Sequence, residues 1–201
     1  RIKGSELFLG FLVMSGIFTF FLGDFFNSGQ ASLQPFFVFH PWLYLFFIPA
    51  LSMRLWSEER KSGTIEILMT LPIPAHEIVV GKFLAAWLFT GIALSLTFPI
   101  WITVNYLGDP DNGVIFLSYV GSFLMAGAFV AVASCLSALT KSQVISFVIG
   151  AACCFLFVAI GSPLILNFAG DWAPKMLLDI FAQFSFQNHF DAISRGVVDL
   201  R

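Results

Sequence analysis

The sequence predicts an all-α fold, a bundle of membrane-spanning helices, from its composition and from the distribution of its charged residues. Of the 201 residues, 58% are hydrophobic and 11% are charged, and the mean hydropathy is +0.90. Soluble domains carry about 25% charged residues. A core of this size cannot bury so much apolar surface, so lipid must supply the remaining apolar environment. The few charges also divide the chain into long uncharged stretches.

These uncharged stretches predict five membrane spans within a single transmembrane domain that covers residues 1–201. Each is close to or above the roughly 20 residues, at about 1.5 Å per residue, that a helix needs to cross the hydrocarbon core. The predicted spans are residues 7–23, 36–55, 80–107, 114–139 and 143–167. Neighbouring helices can satisfy the backbone groups that a proline frees, so prolines in the spans are interpreted as kinks. They are Pro41, Pro49, Pro99 and Pro163.

The basic residues predict the orientation of the bundle, because cytoplasmic loops hold the excess of Lys and Arg. If the spans alternate, one side of the membrane carries Arg1, Lys3, Arg54, Arg60, Lys61, Lys82 and Lys141. That side is therefore predicted to be cytoplasmic. Beyond the fifth span, residues 172–197 have apolar side chains at helical spacing and predict amphipathic or re-entrant helices at the outer interface. We expect a sixth span after Arg201, on the interpretation that the chain is a fragment.

The cytosolic loop between the second and third spans predicts a short helix over residues 62–71. Ser62 or Gly63 can cap it, Glu66 in its first turn suits the helix dipole, and Pro72 stops it. Its apolar stripe consists of Ile65, Leu68 and Met69. A helix of about two turns is not stable alone, which favours docking into a partner. The alternative is a connector that lies on the membrane surface with its stripe facing lipid.

The same loop resembles a known family. It carries an acidic pair, a basic pair, Gly-Thr-x-Glu, an apolar pair, a proline-bearing turn and a Gly-Lys that opens the next helix. These features are Glu58-Glu59-Arg60-Lys61-Ser62-Gly63-Thr64-Ile65-Glu66-Ile67-Leu68, then Leu71-Pro72 and Gly81-Lys82-Phe83. The pattern is similar to the loop between the second and third spans of ABC-2 permeases of ABC transporters. It looks closest to the subgroup that includes gliding-motility and nitrous-oxide-reductase-maturation permeases.

The resemblance implies a type V exporter-like permease fold with six spans, in which this loop forms a coupling helix seated in a cytosolic ATPase. The implied coupling residues are Glu58, Glu59, Arg60, Gly63, Thr64, Ile65, Glu66, Leu68, Met69, Leu71 and Pro72. It also implies two ATPase copies, a second permease copy or paralogue, and a location in the bacterial inner membrane. An accessory extracytoplasmic protein is compatible with the resemblance as a further partner. ATP and Mg would be bound by the ATPase, and the permease itself would bind no cofactor.

The sequence offers little that suggests catalysis or metal binding. It lacks a Walker A pattern, HExxH and GxSxG, its histidines and cysteines have no metal-site spacing, and it has no basic run for nucleic acid. The interiors of the spans carry no charge, which argues against ion-driven transporters and membrane proteases. We therefore predict a non-catalytic permease subunit that couples ATP hydrolysis to export or force transmission. The alternative is a polytopic membrane enzyme or scaffold without an ATPase partner.

The fourth span has a face of small residues that permits close approach of another backbone. The face consists of Gly127, Ala131, Ser134 and Ala138. Packing within the bundle is the simplest interpretation. A dimer interface and a cargo path are the alternatives.

Overall fold

The computed structural model describes residues 4–22 and 33–160, and every regular element in these two ranges is helical. This confirms the all-helical prediction. The end of the predicted fifth span, Pro163 and the predicted helices of residues 172–197 lie outside the described residues.

Nine α-helices and one π-helical segment make up the described part of the chain. They are α1 (Gly4–Ile17), the π-helical segment (Phe18–Leu22), α2 (Gln34–Val38), α3 (His40–Ser52), α4 (Ser57–Ser62), α5 (Thr64–Thr70), α6 (Ala75–Ser95), α7 (Phe98–Leu107), α8 (Asn112–Leu139) and α9 (Gln143–Ile160).

Two helical segments of the described chain are long and apolar enough to cross a membrane: Ala75–Leu107, with 33 residues, and Asn112–Leu139, with 28 residues. Two shorter apolar helices cover Ser5–Phe21 and Gln143–Ala159. The number of spans stays a prediction.

Proline divides two of the predicted spans into separate helices. The second span is broken at Phe39, and Pro41 lies in the first turn of α3. The third is broken at residues 96–97, and Pro99 lies in the first turn of α7. At both interruptions the backbone keeps right-handed helical dihedral angles, with φ −87° and ψ −9° at Phe39 and φ −82° and ψ −3° at Thr97. Ala75–Leu107 still forms one helical segment, so Pro99 fits the predicted kink. A missing N–H is harmless at these positions, because the first-turn donors have no intrahelical acceptor. Pro49 does lie inside α3.

The core forms where α1, α3, α8 and α9 meet. The hydroxyl groups of Tyr44 on α3 and Ser122 on α8 form a buried hydrogen bond of 2.7 Å. Phe11 on α1 stacks on Tyr44, with ring centroids 5.9 Å apart. Gly150 on α9 lies close to α3, since a Cβ built there would be 3.5 Å from the Cβ of Pro49. These contacts hold α3 at the centre of the bundle.

Helices α6 and α8 interlock through two aromatic residues and two glycines. A Cβ built on Gly91 of α6 would lie 2.6 Å from the ring of Phe123 on α8, and one on Gly127 of α8 would lie 2.8 Å from Nε1 of Trp87 on α6. The Trp87 and Phe123 rings stack with centroids 4.5 Å apart. The Trp87 indole N–H also donates to the Phe123 carbonyl at 2.8 Å. Each glycine therefore provides the space for an aromatic ring of the other helix.

Candidate functional site

The loop between α3 and α6 contains two short helices rather than the single helix predicted over residues 62–71. Gly63 separates α4 from α5 with a φ of 77°, a left-handed conformation that glycine adopts without steric cost and that commonly ends helices. Ser62 belongs to α4, and its hydroxyl donates to the Glu58 carbonyl at 2.9 Å. Of the two caps considered, Gly63 is the residue that precedes α5. The segment predicted to be the coupling helix thus consists of α4 and α5 joined at one glycine.

Helix α4 is attached to the end of α8 by the side chain of Ser137. The Ser137 hydroxyl accepts hydrogen bonds from the backbone N–H groups of Trp56 and Ser57, both at 3.3 Å, and donates to the Met53 carbonyl at 3.1 Å. Trp56 and Ser57 are buried. A single hydroxyl on α8 therefore fixes both the end of α3 and the start of α4.

A second attachment joins α4 to α6 through Lys82. The Lys82 ammonium forms an ion pair with Glu59 and donates to the Leu55 carbonyl at 2.6 Å. It also lies over the Trp56 ring, 4.5 Å from its centroid, in cation–π geometry. Trp56 is therefore buried beneath this ammonium.

Two of the predicted coupling residues, Glu59 and Arg60, have partners inside the chain. The Arg60 guanidinium donates to the Ala138 carbonyl at the end of α8, and Glu59 pairs with Lys82. Neither Ser137 nor the role of Lys82 in this arrangement was predicted from the sequence. We use the name "α4 anchor" for the group formed by Trp56, Ser57, Glu59, Arg60, Lys82, Ser137 and Ala138.

Helix α5 projects from the bundle without a single buried residue. Of the predicted stripe, Ile65 and Leu68 are half-buried and Met69 is exposed. Ile67, which the predicted stripe omitted, is 66% exposed. We use the name "docking surface" for the exposed apolar side chains of Ile67, Met69, Leu71 and Ile73.

The other predicted coupling residues lie around this surface. Glu58 is half-buried on α4. The Thr64 hydroxyl is 2.9 Å from that of Ser62. The remaining predicted coupling residues are exposed: Gly63, Thr64, Glu66 and Pro72. The structure therefore divides the predicted coupling residues into an internal group on α4 and an exposed group on and around α5.

The small-residue face of α8 does not meet one common neighbour. Gly127 packs against Trp87. Ala131 is exposed, Ser134 is half-buried and donates within its own helix, and Ala138 provides the carbonyl that Arg60 binds. A dimer or cargo-path role for this face stays a prediction.

The histidines of the described residues lie apart, as do the other candidate metal ligands. His40 is buried in the core beside the Phe36 carbonyl, at 2.9 Å, and His76 is exposed at the start of α6. Within residues 4–22 and 33–160, no three His, Cys, Asp or Glu side chains are grouped to hold a metal ion.

A bundle of long apolar helices with a short exposed helix is typical of a polytopic membrane protein. The family model described as "ABC-2 family transporter protein" matches residues 5–200. The chain belongs to this family and is a membrane permease of the ABC-transporter class.

Heme exporter protein B of Rhodobacter capsulatus is 33% identical to the chain over 57 residues. The alignment covers 28% of this chain and 26% of that relative. The match therefore spans about a quarter of the relative's length. No solved structure matches the chain significantly.

Proposed function

We propose that this permease docks α5 into a cleft of a separate cytosolic ATPase subunit and converts ATP hydrolysis there into export or force transmission across the membrane. One observation carries the proposal: a short helix with four exposed apolar side chains on and just after it and no buried residue. Two turns of helix gain little stability from their own hydrogen bonds, so a partner that covers the docking surface would stabilise α5. Family membership supports an ABC ATPase as that partner.

The length of the following helical segment favours an ATPase partner over a connector on the membrane surface. The segment Ala75–Leu107 has 33 residues. With its interruption at residues 96–97, the path of the segment along its helix axes is about 50 Å at about 1.5 Å per residue, against roughly 30 Å of hydrocarbon. Part of the segment therefore extends beyond the lipid core. His76, Glu77 and Lys82 are all near its first end, which favours a position of α5 outside the acyl chains.

The α4 anchor supplies the route by which movement of α5 would reach the membrane helices. Displacement of α5 passes through Gly63 to α4, and α4 is bonded to α8 through Ser137 and Ala138 and to α6 through Lys82. We therefore assign Glu59 and Arg60 to transmission inside the permease. Contact with the ATPase is assigned to the docking surface together with the exposed Thr64 and Glu66.

The proposed assembly contains two ATPase copies, which bind ATP and Mg, and two permease copies or a permease with a paralogue. The basic residues around α4 favour a cytoplasmic position for α5, and we assign the complex to a bacterial inner membrane. Export is the activity that the name of the Rhodobacter relative describes for that protein, and it supports the outward direction here.

Co-purification of the permease with an ABC ATPase subunit from the same cell tests this proposal. Ile67→Asp/Met69→Asp should weaken the association about 100-fold or more, because each buried side chain of this size contributes about 1.5–3 kcal/mol. His76→Asp, which adds a carboxylate at an exposed position in the first turn of α6, is the matched control and should leave co-purification unchanged. Undiminished binding by the double variant, with normal membrane insertion, would contradict the docking role of α5.

A further inference from the structure

A cavity of about 420 Å³ lies where the end of α4 meets the turn between α8 and α9. Its lining residues are Lys61, Lys141, Ser142, Gln143 and Val144. Both lysines are exposed. Within the described residues, neither ammonium group has an ion pair or a hydrogen bond. Two cations thus share one cavity without a carboxylate to neutralise them.

The chemistry of this cavity suits a phosphate group. The two lysines line the same cavity and no carboxylate is among its lining residues, so an anion in the cavity would be attracted by both. Ser142 and Gln143 add a hydroxyl and an amide that can donate to phosphate oxygens. α9 begins at Gln143, which lines the cavity. The N–H groups of its first turn, which have no intrahelical acceptor, therefore lie beside the cavity.

The surroundings of the cavity favour a lipid as the source of that phosphate. Val144 is 71% exposed, and the exposed apolar surface continues along α9 at Ile145, Val148 and Ile149. The cavity therefore lies at the boundary between a polar turn and an apolar helix, where a headgroup can occupy the cavity while its acyl chains follow α9. Basic pockets at the cytoplasmic ends of membrane helices bind anionic headgroups in this way.

We propose that this cavity binds the headgroup of an anionic phospholipid from the adjacent leaflet, held by Lys61 and Lys141. The proposal requires that the chain lies in a membrane but not that α5 binds an ATPase. The Ile67→Asp/Met69→Asp variant should therefore bind the lipid normally.

Titration of the detergent-purified full chain with short-chain phosphatidylglycerol and phosphatidylcholine tests the proposal. The parent chain should prefer phosphatidylglycerol. Each lysine near a membrane surface contributes about five-fold to the binding of anionic lipid. Lys61→Gln and Lys141→Gln should therefore weaken phosphatidylglycerol binding about five-fold singly and about thirty-fold together. Lys61→Arg/Lys141→Arg keeps both charges and is the matched control, with affinity close to that of the parent.

Three outcomes would overturn the proposal. The first is unchanged phosphatidylglycerol affinity in the double glutamine variant, with the thermal stability of the parent. In the second, millimolar inorganic phosphate displaces the lipid completely, which would make the cavity a site for free phosphate. The third is loss of ATPase co-purification in that variant while lipid affinity is retained, which would assign both lysines to the protein partner.

Discussion

Replacing Ser137 with Ala is the most direct test of the α4 anchor. The substitution removes one hydroxyl from α8 and leaves the helix itself intact, because alanine is the best helix former. It deprives the N–H groups of Trp56 and Ser57 of an acceptor. The Met53 carbonyl loses one donor and keeps the Ser57 hydroxyl. We expect α4 to open more often, while the bundle stays folded.

The size of the effect follows from the geometry and burial of these bonds. A buried N–H left without an acceptor costs about 1–3 kcal/mol, and loss of a helix cap costs about 0.5–2 kcal/mol. Both N–H bonds are 3.3 Å long, which is beyond the usual range and favours the lower half of these values. An opening free energy lower by about 1.4 kcal/mol corresponds to about ten-fold more frequent opening.

Hydrogen exchange of the backbone amides in residues 56–62 measures this opening. Ser137→Ala should accelerate exchange there about ten-fold. Ser134→Ala is the matched control, since the Ser134 hydroxyl donates to the Ala131 carbonyl of its own helix at 3.0 Å and should leave that segment unchanged. Exchange in Ser137→Ala within about two-fold of the parent chain, or an equal acceleration in Ser134→Ala, would refute the role given to the Ser137 hydroxyl.

Two further predictions concern glycines and are measured by thermal unfolding in detergent. Gly63→Ala should lower the free energy of unfolding by about 1–2 kcal/mol, because a Cβ is unfavourable in the left-handed conformation. Gly81→Ala on α6 has open space around it and should raise that free energy by up to about 1 kcal/mol. Gly127→Ala should cost about 1–3 kcal/mol through overpacking against Trp87. Gly16→Ala, which meets no atom within 4 Å, should cause no such loss. Equal melting temperatures for the members of either pair would contradict the corresponding prediction.

The sequence predicted the helical class and the approximate position of several helices because uninterrupted apolar runs have no competing local structure. Residues 114–139 were predicted as one helix, and α8 covers Asn112–Leu139. Residues 7–23 were predicted as another, and α1 with its π-helical segment covers residues 4–22 of the described range. α8 ends two residues before Lys141, whereas α6 begins at Ala75 and runs through Lys82, so a charged residue that bounds an apolar run does not always mark the end of a helix.

The helix breaks near proline were harder to predict. Pro41, Pro49 and Pro99 look alike in the sequence, yet α3 continues through Pro49 while helices start beside the other two. A proline permits a kink or a new helix, and the packing of neighbouring helices decides between them. That packing depends on residues far away in the chain, so the residues around each proline do not show which of the two forms.

The docking surface was predicted in part, and the α4 anchor was not. Helical spacing identified Met69, but it selected the half-buried Leu68 and omitted the exposed Ile67, because periodicity locates a face without showing which side the bundle covers. Ser137 is 81 residues from Trp56 in the chain, and a serine in an apolar helix looks like any small residue. Only the fold brings the two together.

The interlocked aromatic rings of α6 and α8 limit how this permease can change shape. Trp87 and Phe123 each occupy a notch on the opposite helix, so axial sliding of one helix past the other would drive both rings into backbone. The two helices are therefore expected to travel as one rigid body. Any transition between inward- and outward-facing forms must then take place at other contacts of the bundle.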